Sequence, residues 1–153
     1  MTTFSGHYSA TQDKIAIIAG RFNNVVTDKL VAGAEDALSR HGVAADKIDV
    51  IWVPGAFEIP AIVKLAASKG YAGIITLGAV IRGETSHFDY VCNEVAKGIG
   101  ALTMQLDQPL VFGVLTCDNL EQAMQRAGGK AGNKGFDVAN DVLELIDLRQ
   151  QLA

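Results

Sequence analysis

A chain of 153 residues, 49% of them hydrophobic and 20% charged, holds enough apolar material for a core and too little length for two ordinary domains, which excludes disorder and a multidomain assembly. A formal net charge of -4 without a Lys/Arg cluster leaves no basic face for nucleic acid, and the apolar runs are strand-length and broken by charge or glycine, so no membrane span is expected. The N-terminus has no basic-then-apolar leader, and Cys92 and Cys117 lack a Cys-x-x-Cys spacing, so we expect a cytoplasmic protein without a structural metal.

Residues 1–12 mix Ser, Thr, Gly and Gln without a sustained period. They read as an arm, mobile or ordered only against something else, ahead of one domain over residues 13–153. Ile15, Ala16, Ile17 and Ile18 give a short buried strand closed by Gly20. Val26, Leu30, Val31, Ala34, Ala37 and Leu38 form the apolar face of a helix that Gly42 stops, with His41 as a favourable end charge. A second strand over residues 48–53 breaks at Pro54-Gly55, and Glu58 and Pro60 open a helix running through Ile62, Val63 and Ala66 to Gly70.

The nearly continuous branched run over residues 73–81 is a third strand, of the kind that parallel sheets cover on both faces. Val91, Val95, Ile99, Leu102 and Leu106 follow it at helical spacing. After Pro109 comes a fourth strand over residues 110–115. Asp118-x-x-Glu121 resembles a capping box before Leu120, Ala123, Met124 and Ala127. Gly128-Gly129 stops that helix, residues 130–133 form a Gly-containing joint, and Phe136, Ala139, Leu143 and Ile146 carry a last helix. Both cysteines read as small, buried side chains.

Four strand–helix repeats with one extra helix predict a three-layer α/β/α sandwich, flavodoxin-like, with a four-stranded parallel sheet and helices on both faces. Ligands bind such sheets beyond the carboxyl ends of the strands. That rule gathers Phe22-Asn23, Gly55-Ala56-Phe57-Glu58, residues 81–87 and residues 112–116 onto one edge.

At this edge the turn after the third strand stands out. Gly83 lets the backbone turn, Thr85 or Ser86 can cap the next helix, and that helix's first N–H groups make a candidate anion site with His87 on its lip. A titratable ring beside a phosphate pocket points to proton transfer on a phosphorylated small molecule. Each residue also has a plainer reading. A strand, turn and capped helix occur in every α/β protein. Phe22 is either a stacking platform or a ring tucked under its own helix; Glu58 is either an acceptor for a polyhydroxylated tail or a helix-terminal charge; Arg126 and Lys134 are either phosphate-binding cations or solvated helix-end charges. Two chemistries are excluded. A phospho-accepting receiver needs acidic residues where Ala19, Val53 and Ile81 stand, and Gly20-Arg21-Phe22 is no dinucleotide fingerprint.

Taken together, Arg21-Phe22-Asn23, Pro54-Gly55-Ala56-Phe57-Glu58-Ile59-Pro60, the run from Gly78-Ala79-Val80-Ile81-Arg82-Gly83-Glu84-Thr85-Ser86-His87 to Phe88-Asp89-Tyr90-Val91-Cys92, and Lys130-Ala131-Gly132-Asn133-Lys134-Gly135 resemble the lumazine synthase family, in order and spacing. The resemblance implies condensation of 5-amino-6-ribitylamino-2,4-pyrimidinedione with 3,4-dihydroxy-2-butanone 4-phosphate to give 6,7-dimethyl-8-ribityllumazine, phosphate and water, with no metal and no organic cofactor. By the same resemblance Phe22 stacks on the pyrimidine, and Asn23, Ala56, Phe57 and Glu58 hold the ribityl chain. Val80, Ile81 and Lys134 line the ring's polar edge. Arg126 and the amides of Glu84, Thr85 and Ser86 bind phosphate, and His87 moves protons.

The resemblance further implies a homopentamer, twelve of which can close into an icosahedral shell of sixty subunits, with Phe112 entering a neighbour's site, residues 1–12 adding to a neighbour's sheet, and riboflavin synthase as a further partner. Where the family commonly has Gly-Thr-Lys, this chain has Gly128-Gly129-Lys130. The alternative is a non-catalytic flavin- or lumazine-binding or shell protein on the same scaffold, which would keep Phe22 and have no use for His87, Arg126 and Lys134 together.

Overall fold

A computed structural model describes residues 1–153. The chain alternates strand and helix: β1 (Ile15–Gly20), α1 (Asn24–Arg40), β2 (Ile48–Val53), α2 (Ile59–Ala67), β3 (Gly73–Ile81), α3 (His87–Gln105), β4 (Leu110–Cys117), α4 (Leu120–Gln125), β5 (Ala127–Gly129), β6 (Gly132–Asn133) and α5 (Lys134–Leu152). The first four strands form one parallel sheet in the order β2-β1-β3-β4. This is the three-layer sandwich that the repeats predict.

Side chains alternate between the two faces of each strand, and the core divides accordingly. Ile15, Ile17, Ala19, Ile75, Leu77 and Val111 face α1, α4 and α5, where they pack with Leu30, Leu38, Ala123, Val138 and Leu143. Ala16, Ile18, Ile74, Val80, Leu110 and Val114 face α2 and α3, where they meet Ile59, Val63, Val95 and Ile99. Every residue of β1 is buried, as a central parallel strand requires.

The structure corrects the sequence reading around the fourth helix. The cap is Asn119, whose side chain accepts the Gln122 N–H at 2.9 Å, rather than Asp118. The helix ends at Gln125, and Ala127 belongs to β5, paired antiparallel with β6. Burial of Ala127 extends the helical period by one apparent repeat, but Gly128 (φ 104°) and Gly132 (φ 84°) turn the chain back into a hairpin. The Ala131 N–H donates to the Gln125 carbonyl at 3.0 Å and closes the helix end. Cys117 is buried as expected, whereas Cys92 is only half-buried. His41 does more than end a helix: its Nε2 lies 3.0 Å from Asn140 Oδ1 on α5.

Residues 1–10 take no regular structure and lie along α5 of the same chain. The Gln151 side chain donates to the Ser5 carbonyl at 2.7 Å, the His7 N–H donates to Asp147 Oδ2 at 2.9 Å, and the Tyr8 ring sits 5.1 Å from that of His41. The bond from His7 holds the Asp147 carboxyl below the usual carboxylate range.

Candidate active site

Three chain segments leave the carboxyl end of the sheet toward the α2/α3 side and enclose one cleft of about 600 Å³, a volume typical of small-molecule sites. The first follows β1. The parallel ladder continues past the strand, with the Arg21 N–H donating to the Val53 carbonyl at 2.8 Å and the Phe22 N–H to that of Pro54 at 2.9 Å. Asn23 then turns into the left-handed region (φ 62°, ψ 41°), which asparagine tolerates. Its Nδ2 donates to the Ala79 carbonyl at 2.8 Å. Pairing of β1 with β3 ends at Ala19 and Leu77, so this amide supplies a partner beyond the last strand-to-strand pair. The turn leaves the Phe22 ring 73% exposed at the cleft mouth.

The second segment follows β2. Gly55 is extended and opens a 3-10 turn over Ala56–Glu58. A Cβ on Gly55 would stand 3.3 Å from Glu58 Oε2 and 3.9 Å from the Phe22 Cβ, so the carboxylate folds back over the glycine beside the aromatic ring. Phe57 is 56% exposed on the same turn. The third segment is the end of β3, with Ala79, Val80 and Ile81, continuing through Gly83, Thr85, His87 and Phe88.

The start of α3 differs from the expected cap. Ser86 occupies the capping position with helical dihedrals (φ −69°, ψ −2°) and makes no side-chain cap bond. A cap needs a non-helical residue to aim its oxygen at the following N–H groups. Thr85 Oγ1 accepts the His87 N–H only at 3.4 Å. The first amides of α3 therefore have no strong side-chain acceptor, which is the condition for receiving an anion.

A family model described as 6,7-dimethyl-8-ribityllumazine synthase matches residues 12–150. The chain belongs to that family. Lumazine synthases are riboflavin-biosynthesis enzymes of the transferase class, acting on small molecules. No helix is long and apolar enough to cross a membrane.

Against this family background the sequence-predicted residues fall into two groups. Phe22, Asn23, Ala56, Phe57, Glu58, Val80, Ile81, Thr85 and His87 line the cleft, and Glu84 and Ser86 stand exposed on the same loop. Phe112, Arg126 and Lys134 lie outside it. Phe112 pairs in register with Thr76, well inside the strand rather than at the carboxyl edge where the topology rule gathered it, and is 39% exposed on β4, one of the two edge strands. Arg126 follows the last turn of α4 and Lys134 begins α5; the Lys134 N–H donates to the Arg126 carbonyl at 2.8 Å across the base of the hairpin. Ala123 and Ala127 anchor this corner in the α1/α4/α5 layer, on the face of the sheet opposite the cleft.

Sequence reasoning missed Arg82. Its Nε donates to Asp118 Oδ1 at 3.1 Å, its Nη1 lies 3.4 Å from Asp89 Oδ1, and its Cζ stands 4.3 Å from the centroid of the Phe88 ring. The bond to Asp118, with the field of both carboxylates, raises the guanidinium pKa above its ordinary value. The available signal was a cation placed directly after a buried strand. Tyr90, 68% exposed at the cleft, carried no comparable signal, because its position reads as the outer face of a helix.

Proposed function

We propose that the protein condenses 5-amino-6-ribitylamino-2,4-pyrimidinedione with 3,4-dihydroxy-2-butanone 4-phosphate, giving 6,7-dimethyl-8-ribityllumazine, phosphate and water. The observation that carries this reading is the cleft itself, where an outward Phe22 ring, a folded-back Glu58 carboxylate and the uncapped start of α3 surround one volume of about 600 Å³. A planar pyrimidine stacks on Phe22. The ribityl hydroxyls donate to Glu58 Oε2 and meet the Ala56 and Phe57 backbone, while Val80 and Ile81 border the ring. Asn23 keeps Oδ1 for substrate, since its Nδ2 is engaged by Ala79. The phosphate of the second substrate lies against the amides of Glu84, Thr85 and Ser86, and His87, at the head of α3, passes protons during imine formation, phosphate loss and ring closure.

Arg126, Lys134 and Phe112 then act from a second copy of the chain, packed so that its hairpin corner and β4 edge complete the first copy's cleft. Their exposure outside the cleft supports this arrangement. Repeated head to tail, such a contact gives a ring when its rotation closes, and the family resemblance gives the ring five members, with residues 1–12 adding to a neighbour's sheet. Condensation of an amine with a ketone needs positioning, proton relay and a site for the leaving anion more than a strong nucleophile. The test is to mix the purified protein with both substrates and follow lumazine absorbance and fluorescence beside an Arg126→Ala variant. Formation well above the uncatalysed rate, lost in the variant, is the expected result. A wild type no faster than the uncatalysed condensation, yet able to bind the pyrimidine or riboflavin, would establish a carrier and overturn the reading.

A further inference from the structure

The loop over residues 83–87 carries the proposed anion amides and His87, yet it has little holding it in shape. Residues 83–87 are all exposed, a Cβ on Gly83 would touch nothing within 4 Å, and Thr85 Oγ1 reaches the His87 N–H only at 3.4 Å. Its two ends are fixed instead. At one end the Arg82 N–H donates to the Cys117 carbonyl at 2.9 Å, extending the β3–β4 ladder by one residue. At the other, the Asp89 N–H donates to the Ser86 carbonyl at 3.0 Å and starts the helix. The Arg82 side chain spans these ends. Its guanidinium reaches Asp89 and lies over Phe88 on the first turn of α3, and its Nε is held by Asp118 on the connection from β4 to α4.

We infer that Arg82 is a positioning residue for the condensation: its guanidinium clasps the two ends of the 83–87 loop against Asp118 and Phe88 and so sets the places of the anion amides and His87. The inference rests on the condensation reading above. A planar fork with three partners in different directions fixes an orientation that a flexible ammonium does not. The side chains concerned are roughly half exposed, and exposed ion pairs add little to folding. The clasp therefore acts on local shape more than on global stability. Because Phe88 also lines the cleft, moving the clasp moves both the anion loop and a wall of the site.

The experiment compares wild type, Arg82→Gln, Asp118→Asn, the double variant and Arg82→Lys by lumazine formation and by amide hydrogen exchange. Arg82→Gln should lower kcat about tenfold, the scale of a small misplacement of reacting groups, and Arg82→Lys should fall between it and wild type. The double variant should be no worse than Arg82→Gln alone, because both substitutions open the same clasp. Exchange at the Arg82 and Asp89 amides, whose bonds to the Cys117 and Ser86 carbonyls close the two ends of the loop, should rise about tenfold while the rest of β3 and α3 stays unchanged. Fully additive losses, a fall in kcat with unchanged exchange at those two amides, or faster exchange along all of α3 would each overturn the inference. Should the wild type form no lumazine above background, the condensation reading fails on its own, and the exchange comparison at the Arg82 and Asp89 amides still decides whether Arg82 holds the loop.

Discussion

The cleft and the hairpin corner are built on opposite faces of one sheet, and they differ in completeness. The cleft is enclosed by three segments of the same chain, with Asn23 fastened to Ala79 and Glu58 folded over Gly55. The corner presents Arg126 and Lys134 on an open surface, aligned with each other through a backbone bond. Under the proposed condensation, which needs both a stacked ring and a cation for the leaving phosphate, these parts are sorted into a pocket and a probe that a second copy would bring together. On this proposal catalysis is linked to assembly, because the chain's own cleft is lined without Arg126 and Lys134.

The largest effect that can break this comparison is at Arg126. Arg126→Ala should lower kcat by about 100- to 1,000-fold, as loss of a group opposing developing negative charge does, with unfolding unchanged because the side chain is exposed. An unaltered kcat would remove the corner from the reaction. The shared-site claim is sharpened by mixing. Arg126→Ala chains co-assembled in equal amounts with Phe22→Asp chains should regain about a quarter of the wild-type sites, because in a head-to-tail ring one junction in four joins an intact cleft to an intact corner. Recovery no greater than the two variants show separately would place both halves in one chain.

A smaller loss belongs to His87. The ring is exposed at the head of α3, where water can replace it in proton transfer, so His87→Gln should lower kcat only about tenfold, at or below the lower end of general acid–base effects. Single-turnover lumazine formation checks the ranking. A loss larger than that of Arg126→Ala would make proton transfer, rather than anion stabilisation, the dominant contribution.

The cleft's own rigidity is tested at Asn23. Asn23→Ala leaves the buried Ala79 carbonyl without its side-chain donor and puts a Cβ-bearing residue of low left-handed tolerance at φ 62°, so we expect a loss of about 1–3 kcal/mol in urea denaturation. Asn23→Gly relieves the dihedral and loses only the bond, and should recover part of that loss. Equal stability of Ala and Gly would show that the backbone conformation contributes nothing.

The sheet and its two faces were legible because buried parallel strands are written as unbroken branched runs and helices as a 3.6-residue period, and both appear from Ile15 to Ile146. The cleft residues were legible for the same reason: each follows a strand whose end the pattern locates. What escaped depended on side-chain reach or on short-range turn geometry. Ala127 fits a helical period until two glycines reverse the chain. Ser86 is a good capping residue by type and adopts dihedrals in which it cannot cap. Arg82 and Asp118 are 36 positions apart, and only the β3–β4 pairing brings them together. The separation of Arg126 and Lys134 from the cleft was likewise invisible, because a strand–helix order does not by itself tell which face a later helix covers.

The opposite end of the sheet supplies the mildest test, since it contains an ion pair remote from the cleft. Lys14 Nζ lies 2.9 Å from Asp49 Oδ1, and the Tyr71 hydroxyl donates to Asp49 Oδ2 at 2.9 Å, joining the starts of β1, β2 and β3. The bond from Lys14, then that from Tyr71, lowers the Asp49 pKa, while burial and the bond to Asp49 raise that of Tyr71. A carboxyl lowered by folding binds fewer protons in the native state than in the unfolded chain, so stability rises with pH through its titration. Its contribution is complete above the unfolded value of about 4 and disappears as pH falls through the lower folded value. Asp49→Asn should therefore cost about 0–1 kcal/mol at pH 7, the range for a partly exposed pair, and progressively less below pH 4, with lumazine formation unaffected. Urea denaturation across that range decides it: a difference that stays constant down to pH 2 would mean that Asp49 acts through its shape and hydrogen bonds, with its charge contributing nothing to the fold.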